Sequence, residues 1–151
     1  MYQRILLAID GSHASRLALH QAIVVGKATG AEVEALFVAD TSDAAIDMVG
    51  FDAITYAERV TAYGRDTLSD AAAKLEAAGI KHSTKLLEHA VAAGQISATI
   101  VSEANETGAD LIVLGTHGRR GLKHLLMGSV AEGVVRKTNK PVLMVRSEVE
   151  E

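Results

Sequence analysis

The chain has 151 residues, 48% of them hydrophobic and 23% charged, with a formal net charge of −4 and no cysteine. This length and apolar content suit one domain with a sizeable core, and the missing cysteines exclude disulfides, thiolate metal sites and cysteine nucleophiles. Few aromatic residues and no basic stripe argue against nucleic-acid binding, and no apolar run approaches the roughly 18–20 residues that a membrane span needs.

The amino terminus runs from Met1 into a strand pattern without a basic n-region, an apolar h-region or a cleavage site, so a cytoplasmic chain is expected. Ile5–Ile9 reads as a short aliphatic strand that ends at Asp10-Gly11-Ser12, a turn cluster able to start a helix. From His13 to about Thr29, Leu17, Ala18, Ala22, Val24 and Val25 supply an apolar face, with Gly30 placed as the residue after the helix. Asp10 is therefore either a capping carboxylate or a functional group at a strand end. Val33–Val38 predicts a second strand, and residues 40–51 a loop over its end, the kind that serves as a lid.

Ala57, Val60, Leu68, Ala71, Ala72 and Leu75 mark a long amphipathic helix over about 54–78, mildly interrupted at Gly64 and stopped by Gly79. Residues 81–87 alternate in polarity, as an edge strand does. A helix through Ile96, Ile100, Val101 and Ala104 follows and ends at Gly108. Leu111–Leu114 is the aliphatic pattern of a strand buried on both faces, and Pro141–Val145 reads as a last strand. Such β-α alternation predicts an α/β fold: an open parallel sheet of five strands with helices on both faces.

The segment Gly115-Thr-His-Gly-Arg-Arg-Gly-Leu-Lys-His-Leu-Leu-Met-Gly-Ser129 carries the densest chemistry. Its glycines at 115, 118, 121 and 128 allow positive φ and close backbone approach, so peptide N–H groups can converge on an oxyanion. Ser129 stands as an N-cap or first residue of a helix whose face is marked by Val130, Val134 and Val135, which adds the positive end of a helix dipole. Arg119, Arg120 and Lys123 place local positive charge in an acidic chain. These features point to a phosphate-bearing ligand. No Gly-x4-Gly-Lys-Ser/Thr, no Gly-x-Gly-x-x-Gly after the first strand and no Gly-x-Ser-x-Gly elbow occurs, and the six histidines lack zinc spacing. No catalytic residue is assigned.

Gly115-x2-Gly118-x9-Gly128-Ser129 resembles the signature of the ATP-binding branch of the universal stress protein family. An opening Ile5-Leu6-Leu7-Ala8-Ile9-Asp10-Gly11-Ser12 and a closing Lys140-Pro141-Val142-Leu143-Met144-Val145-Arg146 extend the resemblance over residues 1–146, leaving 147–151 as a short acidic tail. The resemblance implies strand order 3-2-1-4-5 and a site for ATP or another adenine nucleotide. Ala8, Ile9 and Asp10, with Val38, would contact adenine and ribose; Gly115, His117, Gly118, Gly128, Ser129, Val130 and Ala131 would hold ribose and phosphates, with Arg119 and Arg120 within reach. Mg2+ or Mn2+ would travel with the nucleotide; the metal ligands are unassigned, Asp10 being one candidate. The resemblance further implies a homodimer joined through 141–145. Its role would be regulatory, nucleotide occupancy controlling conformation or the choice of a protein partner. A slow ATPase or self-phosphorylating protein, and a dimeric interaction module without nucleotide, are the rival readings. One departure is the third-helix approach, where many relatives have Gly-x-Pro and this chain has Glu88-His-Ala-Val-Ala-Ala-Gly-Gln95 without proline.

Overall fold

The structure, a computed structural model, describes residues 1–39, 53–88, 95–117 and 127–147. Five strands, β1 (Arg4–Ala8), β2 (Glu32–Val38), β3 (His82–Leu87), β4 (Leu111–Gly115) and β5 (Val142–Val145), alternate with four helices, α1 (His13–Thr29), α2 (Ala53–Ala77), α3 (Ile96–Thr107) and α4 (Ser129–Lys137). All strand pairs are parallel, in the order β3-β2-β1-β4-β5. Fold class and strand order thus match expectation. Among the described residues no helix is long and apolar enough to cross a membrane.

The two central strands explain the order. Ile5, Leu6 and Leu7 of β1 are fully buried, as are Ile112 and Val113 of β4. Side chains of consecutive residues point to opposite faces, so strands apolar on both faces are stable only between two layers of helix. Ile5, Leu7, Val33, Phe37 and Val113 pack under α1 and α2, while Leu6, Leu36, Ile112 and Leu114 pack under α3 and α4. Each such side chain contributes about 1.5–3 kcal/mol by leaving water. β3, with its three consecutive exposed residues Ser83, Thr84 and Lys85, lies at one edge as its polarity predicted, and β5 at the other.

Two helix faces differ from expectation. In α1 the buried stripe is Ala14, Ser15, Ala18, Leu19, Ala22 and Gly26, whereas Val24 is 47% exposed. Val24 lies about 240° around the helix from Ala18, so it cannot share that stripe. In α4 the buried residues are Ala131 and Val134, and Val135 stands 42% exposed at the rim. Gly30 closes α1 in the left-handed conformation (φ 75°), its N–H donating to the Gly26 carbonyl.

Gly64 is a packing requirement rather than an interruption. A Cβ there would stand 2.7 Å from Phe37 Cδ1 and 2.8 Å from Leu86 Cδ1, so the missing side chain lets α2 settle onto β2 and β3. Gly64→Ala sets a helix-propensity gain of up to about 1 kcal/mol against overpacking of about 1–3 kcal/mol. Overpacking should win, and chemical denaturation should show a net loss of about 1 kcal/mol.

Candidate functional site

The site grows from the register of neighbouring strands. Ala8 pairs with Leu36 and Leu7 with Val113, so continuing the ladders sets Asp10 level with Val38 and Ile9 level with Gly115. The Ile9 N–H still donates to the Leu36 carbonyl at 2.9 Å, and the Thr116 N–H to the Val145 carbonyl at 2.9 Å, so strand pairing persists to the rim of the sheet. Beyond that rim the chain leaves β1 toward α1 on one face and leaves β4 toward α4 on the other. The crevice between the two exits is the switch point at which open α/β sheets bind ligands.

At the first exit, Gly11 adopts φ 83°, and a Cβ there would lie 1.9 Å from the Tyr63 hydroxyl oxygen. Only glycine meets both demands. Asp10 is not the cap of α1. Ser12 is the N-cap, its hydroxyl accepting from the Ser15 N–H at 3.1 Å, while Asp10 Oδ1 accepts from the Ser12 N–H at 2.9 Å in an Asx turn. Ser15 Oγ accepts from the Gly11 N–H at 3.2 Å and the Arg16 guanidinium donates to the Gly11 carbonyl at 2.8 Å. Asp10 is half-buried and uses one carboxylate oxygen locally. The other is available to a ligand.

The second exit is built from backbone. A Cβ on Gly115 would stand 2.7 Å from Ala14 Cβ, so this glycine lets the end of β4 press against the first turn of α1. Neither Gly115 nor Gly128 has positive φ; Gly128 is extended (φ −74°, ψ 168°). For Gly115 the use is space rather than an unusual dihedral. The Gly128 N–H donates to the Thr116 carbonyl at 2.6 Å, closing the loop 117–127 at its base. Gly128 is the N-cap of α4 and Ser129 its first residue; no side chain caps this end. The first amides of a helix lack intrahelical partners, so Ser129, Val130 and Ala131 present N–H groups and the positive dipole end at the crevice. Ser129 is exposed, Val130 half-buried and Ala131 buried. The half-buried His117 ring sits beside the Thr116 hydroxyl at 3.2 Å from Nδ1.

Ala8, Ile9, Asp10, Val38, Gly115, His117, Gly128, Ser129, Val130 and Ala131 are thus assembled at one end of the sheet. Gly118, Arg119 and Arg120 lie outside the described residues, as do Gly121, Lys123, the lid expected over 40–51 and the proline-free segment 89–94. Among the described residues no group of three or more histidine, aspartate or glutamate side chains could hold a metal. A cleft of about 380 Å³ lined by Gln95, Ser97, Ser129, Val130 and Lys137 adjoins the start of α4. The larger groove, about 650 Å³ between α2 and β3, contains no predicted site residue.

Sequence reading did not single out Ser15, Thr116 or Tyr63. Ser12-x-x-Ser15 carries a signal for the first, the spacing at which an N-cap meets the third helical residue. Tyr63 has none, because its role depends on where α2 packs relative to the turn at Gly11.

An α/β protein whose sheet opens a backbone-lined crevice at its switch point is the class these features define. The Universal stress protein family model matches residues 1–146. The chain is 36% identical over 150 residues to Universal stress protein MJ0531 of Methanocaldococcus jannaschii, covering 97% of this chain and 83% of that one. It superposes on the solved structure of MJ0577, from the same organism, with a TM-score of 0.83 at 30% identity over 99% of both chains. A universal stress protein from Archaeoglobus fulgidus, solved in complex with dAMP, aligns with a TM-score of 0.66 at 26% identity over 95% of this chain and 98% of that one. The chain belongs to the universal stress protein family.

The cap assignment separates two neighbouring side chains. Ser12→Ala should cost about 1 kcal/mol of stability by removing the N-cap. Asp10→Asn keeps an Oδ1 acceptor for the Ser12 N–H and should melt within about 0.5 kcal/mol of the parent. Thermal unfolding of the two variants checks the difference.

Proposed function

We propose that this chain is a regulatory protein that binds an adenine nucleotide, ATP by the glycine signature, in the crevice between the ends of β1 and β4. The observation that carries the reading is the uncapped start of α4 at Gly128-Ser129 facing the Asp10 turn across the switch point. Backbone amides and a helix dipole suit phosphates, and a carboxylate with a free oxygen suits the hydroxyl or amino donors of a nucleoside. Family membership, with a relative solved in complex with dAMP, supports the same ligand class. Ala8, Ile9, Asp10 and Val38 would meet adenosine. Gly115, His117, Gly118, Gly128, Ser129, Val130 and Ala131 would hold ribose and phosphates, assisted by Arg119 and Arg120. Mg2+ or Mn2+ would arrive on the phosphates.

In this reading residues 1–146 are the binding unit, 147–151 a short acidic tail, and the chain works in the cytoplasm by changing shape or protein partner with nucleotide occupancy. The protein pairs with a second copy through β5. That strand is a sheet edge opening with an exposed Pro141, and Val142, Leu143 and Val145 are only half-buried while Met144 is 36% exposed. An aliphatic edge of this kind calls for a partner strand.

Calorimetry with ATP tests the site. Gly128→Val should fold, since φ −74° and ψ 168° suit a β-branched residue, yet lose ATP binding because its side chain occupies the phosphate space. Gly118→Val should also lose it. Arg119→Ala or Arg120→Ala, whichever side chain reaches the phosphates, should weaken ATP by about 1.5–3 kcal/mol and adenosine by less, an effect that shrinks with salt. Folded valine variants that bind ATP like the parent would overturn the assignment.

Sedimentation equilibrium tests the assembly. The parent should behave as a dimer and Met144→Lys, which charges the β5 edge, as a monomer. A parent that stays monomeric at all concentrations contradicts the proposed pairing.

A further inference from the structure

Beneath α3, away from the crevice, the sheet carries charge where apolar packing is the rule. Glu34 of β2 lies on the same face as Leu6 and Leu36, toward α3, and Lys85 of β3 stands beside Leu36 in the register. Glu103 of α3 is only 3% exposed. Its Oε1 accepts from the Lys85 ammonium at 2.9 Å, but Oε2 is buried and has no donor when every neighbouring carboxyl is ionised. A carboxylate oxygen buried without a donor is costly, and one more hydrogen would satisfy it. Glu34 stands two residues from Leu36, the register partner of Lys85, on the face that α3 covers, which puts its carboxyl beside Glu103 so that each perturbs the other. Two carboxylates cannot bond to each other; a carboxylic acid and a carboxylate can.

We propose that Glu34, Glu103 and Lys85 form a proton-binding site in which Glu34 carries a hydrogen donated to the buried Glu103 carboxylate, fastening α3 to β2 and β3. The Glu103 carboxylate then accepts from Lys85 on one oxygen and from Glu34 on the other. Other charged groups around the cluster are Arg4 on β1, paired with Glu32 of β2, and Glu106 on α3. Arg4 and Lys85 oppose protonation of Glu34, but burial, the hydrogen bond to Glu103 and its charge outweigh them and push the Glu34 carboxyl up to about 7. Burial would raise Glu103 also, yet the hydrogen bonds from Glu34 and Lys85 hold it below the usual carboxylate range.

Between the ordinary carboxylate range and about pH 7, folded Glu34 keeps a proton that the unfolded chain has released. Stability therefore falls as pH rises through that window and levels off above it. The site is occupied at mildly acidic pH and empties on the alkaline side of neutrality.

Carbon-13 NMR of the glutamate carboxyls in the intact chain is the direct test. One glutamate should titrate with a midpoint near 7. That titration should vanish in Glu34→Gln, move down toward the ordinary range in Glu103→Gln, and move further up in Lys85→Met, which removes an opposing charge. Glu34→Gln keeps a permanent N–H donor for Glu103, so its thermal stability should lose the decline toward neutrality, whereas Glu34→Leu, without a donor, should be weaker than Glu34→Gln at every pH. A parent in which all glutamates titrate in the ordinary range overturns the proposal, and so does a near-neutral titration that survives Glu34→Gln. If Glu103→Gln does not fold, the titrations of the parent and of Glu34→Gln decide alone.

Discussion

The contact between Gly115 and Ala14 is the constraint on which the arrangement rests. With a side chain at 115, Cβ atoms would approach to 2.7 Å and the start of α1 would have to lift from the end of β4. Lifting it would part the two strand exits, because the turn at Gly11 is tied to α1 through Ser12, Ser15 and Arg16. The width of the crevice is therefore set by the absence of one methyl group. On the opposite wall, the hydrogen bond from the Gly128 N–H to the Thr116 carbonyl fixes where α4 begins. Two short backbone contacts, one on each side of β4, thus hold both walls against the same strand.

The molecule handles polarity differently on its two levels. At the rim of the sheet the candidate ligand groups are main-chain amides and a partly used carboxylate, which water can satisfy when no ligand is present. Beneath α3 the Glu103 carboxylate sits where water has little access, so its oxygens depend on the half-buried Glu34 and the exposed Lys85 for partners. The first arrangement leaves capacity for a partner molecule, and the second uses a proton to remove the deficit.

Tyr63 links elements that the chain order keeps apart. Its ring meets Phe37 of β2 edge-on at 6.0 Å between centroids, and its hydroxyl end covers Gly11. Position along α2 is in turn set by Gly64, whose missing side chain admits Phe37 and Leu86. A tight helix-to-sheet contact and the shape of the β1–α1 turn are therefore two consequences of the same pair of adjacent residues.

Much of this was legible from residue pattern. The aliphatic runs at Ile5–Ile9 and Leu111–Leu114 read as strands, the second buried on both faces, and glycines at 30, 79 and 108 punctuate the helices where the structure ends them. Such signals are local, since they depend on neighbours within a turn or a strand. The fine facing of α1 and α4 was not legible, because Val24 and Val135 are apolar like their neighbours yet stand 47% and 42% exposed, off the buried stripe. Residue pattern left Asp10 either a cap or a functional group at a strand end, and the geometry of the turn gives the cap to Ser12 while Asp10 uses one oxygen in an Asx turn. Of the two uses the pattern offered for Gly115 and Gly128, positive φ and close backbone approach, neither residue has the first, and Gly115 has the second against Ala14. What the sequence by itself determined is the order of elements and which strands are buried, because periodicity and turn chemistry act over a few residues. Only the tertiary structure decided what faces Gly11, Gly64, Gly115 and Glu103, because those contacts join residues far apart in the chain and depend on distances that no local pattern encodes.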